Sequence, residues 1–240
     1  MWNTSTFITG GYKNDSKNPT PPNPYLRYYV SNFPSKVKEL NSVSENVELT
    51  LTSSDKGDAP VYRWLNTSNN NEFYLLENIQ NSGRYSGINE SGIIIWHINK
   101  NGSNSKPINS KYLVTVVEAD GNNDLLKGTR NYKDLFNSNN KININQSTAP
   151  NATWYDGTYS GLNINSVSYS NRNMTFKVGP GIKGWFETSG HKYFIDNYGE
   201  KPSGWGSIGG KWYYFDENGR MLFDTIIDGC TLDSSGAWIK

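Results

Sequence analysis

The sequence holds one cysteine, Cys230, and two histidines in 240 residues. A single thiol excludes an internal disulfide framework and any metal site built from several thiolates. The histidines, His97 and His191, stand far apart, and neither belongs to an H-E-x-x-H pattern that would set two imidazoles on one helix face. Alanine is scarce too, at 5 residues against 33 Asn and 26 Ser. Alanine is the best helix former, while Asn and Ser compete with the helix for backbone hydrogen bonds, so a mainly helical protein is excluded. Charge of one sign is missing, since 23 Lys and Arg face 22 Asp and Glu for a net +1. The chain thus lacks the basic footprint of a nucleic-acid binder. The longest clean apolar run, residues 93–96, is far below the ~18–20 residues of a membrane span, so no transmembrane segment is expected. Nucleophile elbow, Walker loop and dinucleotide fingerprint are absent. Aromatic rings are what the chain has in plenty, 8 Trp, 16 Tyr and 9 Phe. Because each ring buries about 150–250 Å², the interior leans on them.

The amino end runs Met1-Trp2-Asn3-Thr4 without a basic patch leading into an apolar core, so no signal peptide is visible. The chain reads as a soluble protein, or as a piece whose export signal lay upstream.

Three zones are expected. Residues 1–45 are turn-rich, with Pro19, Pro21, Pro22 and Pro24 close together, and read as an irregular linker. Residues 46–178 turn to strands: Val47, Leu49 and Leu51 alternate with polar residues, and residues 73–76, 93–96, 113–117, 162–167 and 174–178 are short β-branched or aromatic runs between turn residues. The pattern predicts an antiparallel β-sandwich. Trp64, Trp96 and Trp154 in this zone are core rings or, alternatively, carbohydrate platforms. Directly after residues 113–117 comes Glu118-Ala119-Asp120-Gly121-Asn122-Asn123-Asp124. Carboxylates around a glycine turn suit a hard cation, so Glu118, Asp120 and Asp124 form a candidate calcium site, with a plain Asp-Gly turn as the alternative.

From 181 to 240 the chain repeats itself. Gly184-Trp185, Gly190, Tyr193, Asp196 and Gly199 recur 20 residues later as Gly204-Trp205, Gly210, Tyr213, Asp216 and Gly219. A degraded third unit closes the chain, with Asp233 only 17 residues after Asp216. Each unit predicts a hairpin with an aromatic strand, Lys211 to Phe215 in the second, and Asn218-Gly219 as its turn. Alternation sets Trp212 and Tyr214 on one face, Tyr213 and Phe215 on the other. The fold class is therefore all-β, a sandwich followed by a short solenoid of β-hairpins whose neighbours stabilise one another.

Gly-Trp, a spacer, Gly, Trp-Tyr-Tyr, Asp and Gly-x-Met, as they stand from Gly204 to Met221, resemble the cell-wall-binding or choline-binding repeats of Gram-positive surface proteins. The resemblance implies a secreted or cell-surface protein whose rings cage the choline of wall teichoic acid or bind another wall glycan. Carried over by position, the ligand-binding residues are Trp185, Tyr193, Trp205, Trp212 and Tyr214, with Met221 lining the wall. The same rings would equally serve to pack the units. Lys192 stands where the second unit has Trp212, and its ammonium would repel choline there.

A second resemblance covers residues 8–178. Glu72-Phe73-Tyr74-Leu75-Leu76-Glu77, Gly92-Ile93-Ile94-Ile95-Trp96-His97, Glu118-Ala119-Asp120-Gly121 and Trp154-Tyr155-Asp156-Gly157 look like the part downstream of the zinc site in immune-inhibitor-A-type secreted metalloproteases. The zinc helix of that family has no match in this chain, so no catalytic residue is assigned, and zinc enters only if a catalytic domain lies upstream. The expectation is a non-catalytic, wall-binding tail portion of a metalloprotease-like protein; the alternative is the C-terminal part of an active zinc metallopeptidase.

Overall fold

The computed structural model describes residues 21–30, 36–88, 90–105, 111–123, 125, 131–141, 143–145, 148–179, 184–188, 190–196 and 201–239. The chain divides into two compact units, Met1–Trp154 with Leu162–Pro180, and Tyr155–Gly161 with Gly181–Lys240.

Among the described residues the first unit contains eight strands, β1 (Val37–Glu39), β2 (Glu48–Thr52), β3 (Val61–Leu65), β4 (Glu72–Ile79), β5 (Gly92–Asn99), β6 (Val114–Val117), β7 (Ile164–Asn165) and β8 (Asn173–Val178). One sheet runs β1-β3-β4-β5-β6 and the other β2-β8-β7. Leu51, Met174 and Phe176 of the small sheet pack with Tyr74, Leu76, Ile93 and Ile95 of the large one in a single core. This is the sandwich that the strand pattern predicts. It is antiparallel except at β1, which pairs parallel to β3. Neither of those two strands is apparent in the apolar pattern, since Arg63 sits inside β3. Arg63 is held by Glu39 across the parallel pair, Nη2 to Oε1 at 2.6 Å.

The large sheet is covered on both faces. Phe73, Leu75, Ile94 and Trp96 point away from the small sheet into a second core with Tyr28, Tyr85 and Ile88. Strands β4 and β5 are consequently buried along their whole length, which is why they read as continuous apolar runs rather than alternation. One acid lies inside this second core. Glu77 accepts hydrogen bonds from Tyr85 Oη at 2.8 Å and Trp96 Nε1 at 3.2 Å, and it pairs with Arg27 from the helical turn Leu26–Val30. A carboxylate so buried is tolerated because a cation and two donors replace its water.

The second unit is built of β9 (Gly184–Thr188) with β10 (His191–Ile195), β11 (Gly204–Ile208) with β12 (Lys211–Phe215), and a three-stranded sheet of β13 (Thr225–Ile227), β14 (Cys230–Leu232) and β15 (Trp238–Ile239). The β11–β12 hairpin turns at Gly209-Gly210, where φ is +59° and +78°, rather than at Asn218-Gly219. A two-residue primed turn needs positive φ at both central residues, and Gly-Gly supplies it without strain. The Asn218-Gly219 turn lies beyond the hairpin. There Asp216 Oδ1 accepts the N–H groups of Asn218 and Arg220, both at 2.8 Å, and the chain doubles back so that Met221 bridges Phe215. Asp233 repeats the device on Ser235 and Ala237, which makes the residues after Ile227 a shortened third unit.

Tyr155–Gly161 groups with this second unit although its neighbours in sequence do not. Tyr159 is buried with Tyr193 and Ile195, Lys201 Nζ donates to Thr158 Oγ1 at 3.0 Å, and burial raises both tyrosine pKa values. No helix among the described residues is long and apolar enough to cross a membrane.

Candidate functional site

The hairpin registers decide which rings share a face. In the second hairpin Trp205 pairs with Tyr214 and Ser207 with Trp212. Directly opposed residues point the same way, so Trp205, Trp212 and Tyr214 form one surface while Tyr213 and Phe215 form the other. Trp205 and Tyr214 meet edge to face, 5.4 Å between centroids at 80°. Trp238 from the third unit closes a further side at 6.4 Å and 68°. Trp212 is 46% exposed, which leaves its face available to a ligand. Trp205 Nε1 donates to Asp228 Oδ2 at 3.2 Å, so a carboxylate stands at the edge of the ring cluster. The arrangement is a corner of near-perpendicular aromatic walls with one anion beside it.

The other surface of this hairpin is spent on packing. Trp185 of the first hairpin sits 4.7 Å from Tyr213 and 6.0 Å from Phe215, and Phe215 is fully buried. Of the six expected ligand-binding residues the structure brings Trp205, Trp212 and Tyr214 together. Trp185 lies in the interface between the first and second hairpins. Tyr193 is buried against Tyr159, and Met221 is buried where a Cβ on Gly236 would come within 2.4 Å of its Cε. Trp238 and Asp228 have no sequence signal, because the third unit breaks the spacing of 20.

The acidic loop after β6 gathers a different set from the one expected. Carboxylate oxygens of Glu118, Asp120 and Asp134 lie within 4.8 Å of one another, with Glu118 and Asp134 buried. Asp134 arrives because its carbonyl accepts the N–H of Ala119 at 2.9 Å. Asp124 lies outside the described residues. Asp120 caps its own turn, accepting the Asn122 N–H at 3.0 Å.

His97 bonds Glu72 through Nε2 at 2.7 Å and stacks on Tyr74 at 4.4 Å, and Trp154 stacks on Tyr74 at 4.9 Å while lying 6.1 Å from the His97 ring. Trp96 and Trp154 are buried and Trp64 packs partly buried against the sandwich core. Trp64, Trp96 and Trp154 therefore serve as packed rings of the sandwich rather than as platforms.

Among solved structures, the choline binding domain of a Streptococcus pneumoniae protein is 32% identical over 26% of this chain and 76% of its own, with a TM-score of 0.25. Choline binding protein F of the same organism, solved in the presence of a peptidoglycan analogue, is 26% identical over 30% of this chain and 22% of its own, with a TM-score of 0.24. A second crystal form of that protein aligns at 14% identity over 82% of this chain and 72% of its own, TM-score 0.26. No curated protein matches the chain. Residues 203–221, which span the whole second hairpin and its Asp216 turn, match the family described as "Putative cell wall binding repeat".

Proposed function

We propose that the protein is a cell-envelope binding protein that captures the trimethylammonium of choline on wall teichoic acid, at the corner formed by Trp205, Trp212, Tyr214 and Trp238. The observation that carries the reading is the near-perpendicular meeting of Trp205 with Tyr214 and with Trp238. A quaternary ammonium is held by ring faces converging from several sides, each worth about 0.5–2 kcal/mol according to its desolvation. A flat glycan would instead stack on one open platform with hydrogen-bond donors around it. Asp228 beside Trp205 adds attraction for a cation and none for a neutral sugar. Retention on a choline-substituted resin and elution by free choline tests this. Elution by wall glycan but not by choline would transfer the site to the second ligand.

The sandwich unit is, in the same reading, the non-catalytic part of a metalloprotease-like protein. Three of the four segments with that resemblance fall on β4, on β5 and on the turn after β6, and the fourth, residues 154–157, runs from the sandwich unit into the second unit. No residue of the chain matches the zinc ligands, so the purified chain should leave casein intact with or without a chelator. The buried acids Glu118 and Asp134 with Asp120 suit a calcium ion, because oxygens at that spacing are its usual ligands and a cation would offset their mutual repulsion.

A further inference from the structure

The first hairpin already contains a cation. Its register sets Trp185 opposite Phe194 and Glu187 opposite Lys192, so Trp185, Phe194 and Lys192 occupy the places of Trp205, Tyr214 and Trp212. The aromatic corner is the same in kind: Trp185 and Phe194 meet at 5.2 Å and 66°, against 5.4 Å and 80° in the second hairpin. A ring from the next unit, Tyr213, stands at 4.7 Å and 67°. Into this corner the chain delivers its own ammonium, with Lys192 Nζ 5.1 Å from the Trp185 centroid. The strand carrying Lys192 is fixed from outside, because its carbonyl accepts the Met221 N–H at 2.7 Å. The opposite face of the same hairpin is served likewise, by Lys201 over Tyr193 at 5.7 Å. Among the described residues no lysine or arginine stands over Trp205, Trp212 or Tyr214.

We infer that Lys192 is an internal ligand: its ammonium fills the cation seat over Trp185 and closes the first hairpin to choline, leaving the second hairpin as the open seat. This rests on the choline reading and deepens it, since it fixes how many ligands the array takes and which residue sets that number. An ammonium on a short tether is present at an effective concentration of about the millimolar range or above, so free choline below that range does not displace it.

Equilibrium dialysis with free choline, on the whole chain, counts the seats. One choline per chain is expected for the parent and two for Lys192→Trp, which replaces the internal cation by a fourth ring. A parent that binds two, or a Lys192→Trp chain that still binds one, overturns the inference while leaving the choline reading intact. Thermal melting supplies a readout that needs no choline. Lys192→Met keeps the aliphatic stem but not the charge, and should lower the melting temperature of the array by roughly 2–8 °C, with Lys192→Arg restoring it. If no variant binds choline yet this melting pattern appears, the internal contact stands and the choline reading falls; equal melting of parent and Lys192→Met overturns the contact.

Discussion

Trp205 Nε1 donates to Asp228 Oδ2 at 3.2 Å, joining the Gly-Trp corner of the second hairpin to the turn of the third. Asp228 takes up a positive φ of 52° beside Gly229, so the turn that aims the carboxylate also ends β13. The bond orients the Trp205 ring and sets a negative charge at its edge.

Replacing Asp228 by Asn keeps a hydrogen-bond acceptor and removes the charge. Choline binding should weaken by roughly twofold to fivefold at low ionic strength, as for an exposed charge pair. The difference should vanish in molar salt, where the screening length is about 3 Å. A glycan ligand would show no such salt dependence.

The Arg27–Glu77 pair anchors the second core of the sandwich. Glu77→Ala leaves the Arg27 guanidinium buried without its anion and strips Tyr85 and Trp96 of their acceptor, which should cost about 3–5 kcal/mol in urea unfolding. The double change Arg27→Met with Glu77→Leu should cost much less than the single one, since two apolar side chains need no partner.

Burial pushes the Tyr28 phenol up to about 12, and its hydroxyl donates to the Ala59 carbonyl at 2.6 Å. A raised pKa favours the protonated form in the folded state. That contribution is whole below the unfolded value of about 10 and is lost as pH rises through 12. Spectroscopic titration should find tyrosines ionising together with loss of the sandwich in that window, and Tyr28→Phe should remove part of the dependence. On the acid side Asp233, held below the usual carboxylate range first by its hydrogen bond from Ser235, contributes above about pH 4 and loses its effect as pH falls.

Calcium should raise the melting temperature of the sandwich unit, because an ion that binds only the folded state stabilises it by mass action. Asp134→Asn should abolish the rise, whereas Asp216→Asn in the repeats should leave it unchanged. An unaltered melting temperature at millimolar calcium would remove the ion from the loop.

The legibility of these features follows from how local they are. The repeat is visible because identical rings recur at one offset, and the main sandwich strands because their apolar runs are bounded by Asn, Ser and Gly. Strand β3 is hidden by Arg63, whose partner Glu39 lies on a strand too short to have a pattern. Asn218-Gly219 is the stronger local turn signal, yet the paired registers of β11 and β12 leave room only for Gly209-Gly210. Asp134 and Trp238 reach their sites through tertiary hydrogen bonds and ring contacts, for which no spacing in the sequence prepares. Tyr159 belongs to the array only through burial against Tyr193.

The central claim is that the face of Trp205, Trp212 and Tyr214 holds a quaternary ammonium. Titration of free choline, followed by tryptophan fluorescence of the parent chain and of Trp212→Ala, tests it most directly. The account predicts saturable binding in about the millimolar range for the parent, as a few cation–π contacts allow, and a loss of roughly 2- to 30-fold in Trp212→Ala. No saturable change in the parent, or equal affinity in the two chains, would contradict it.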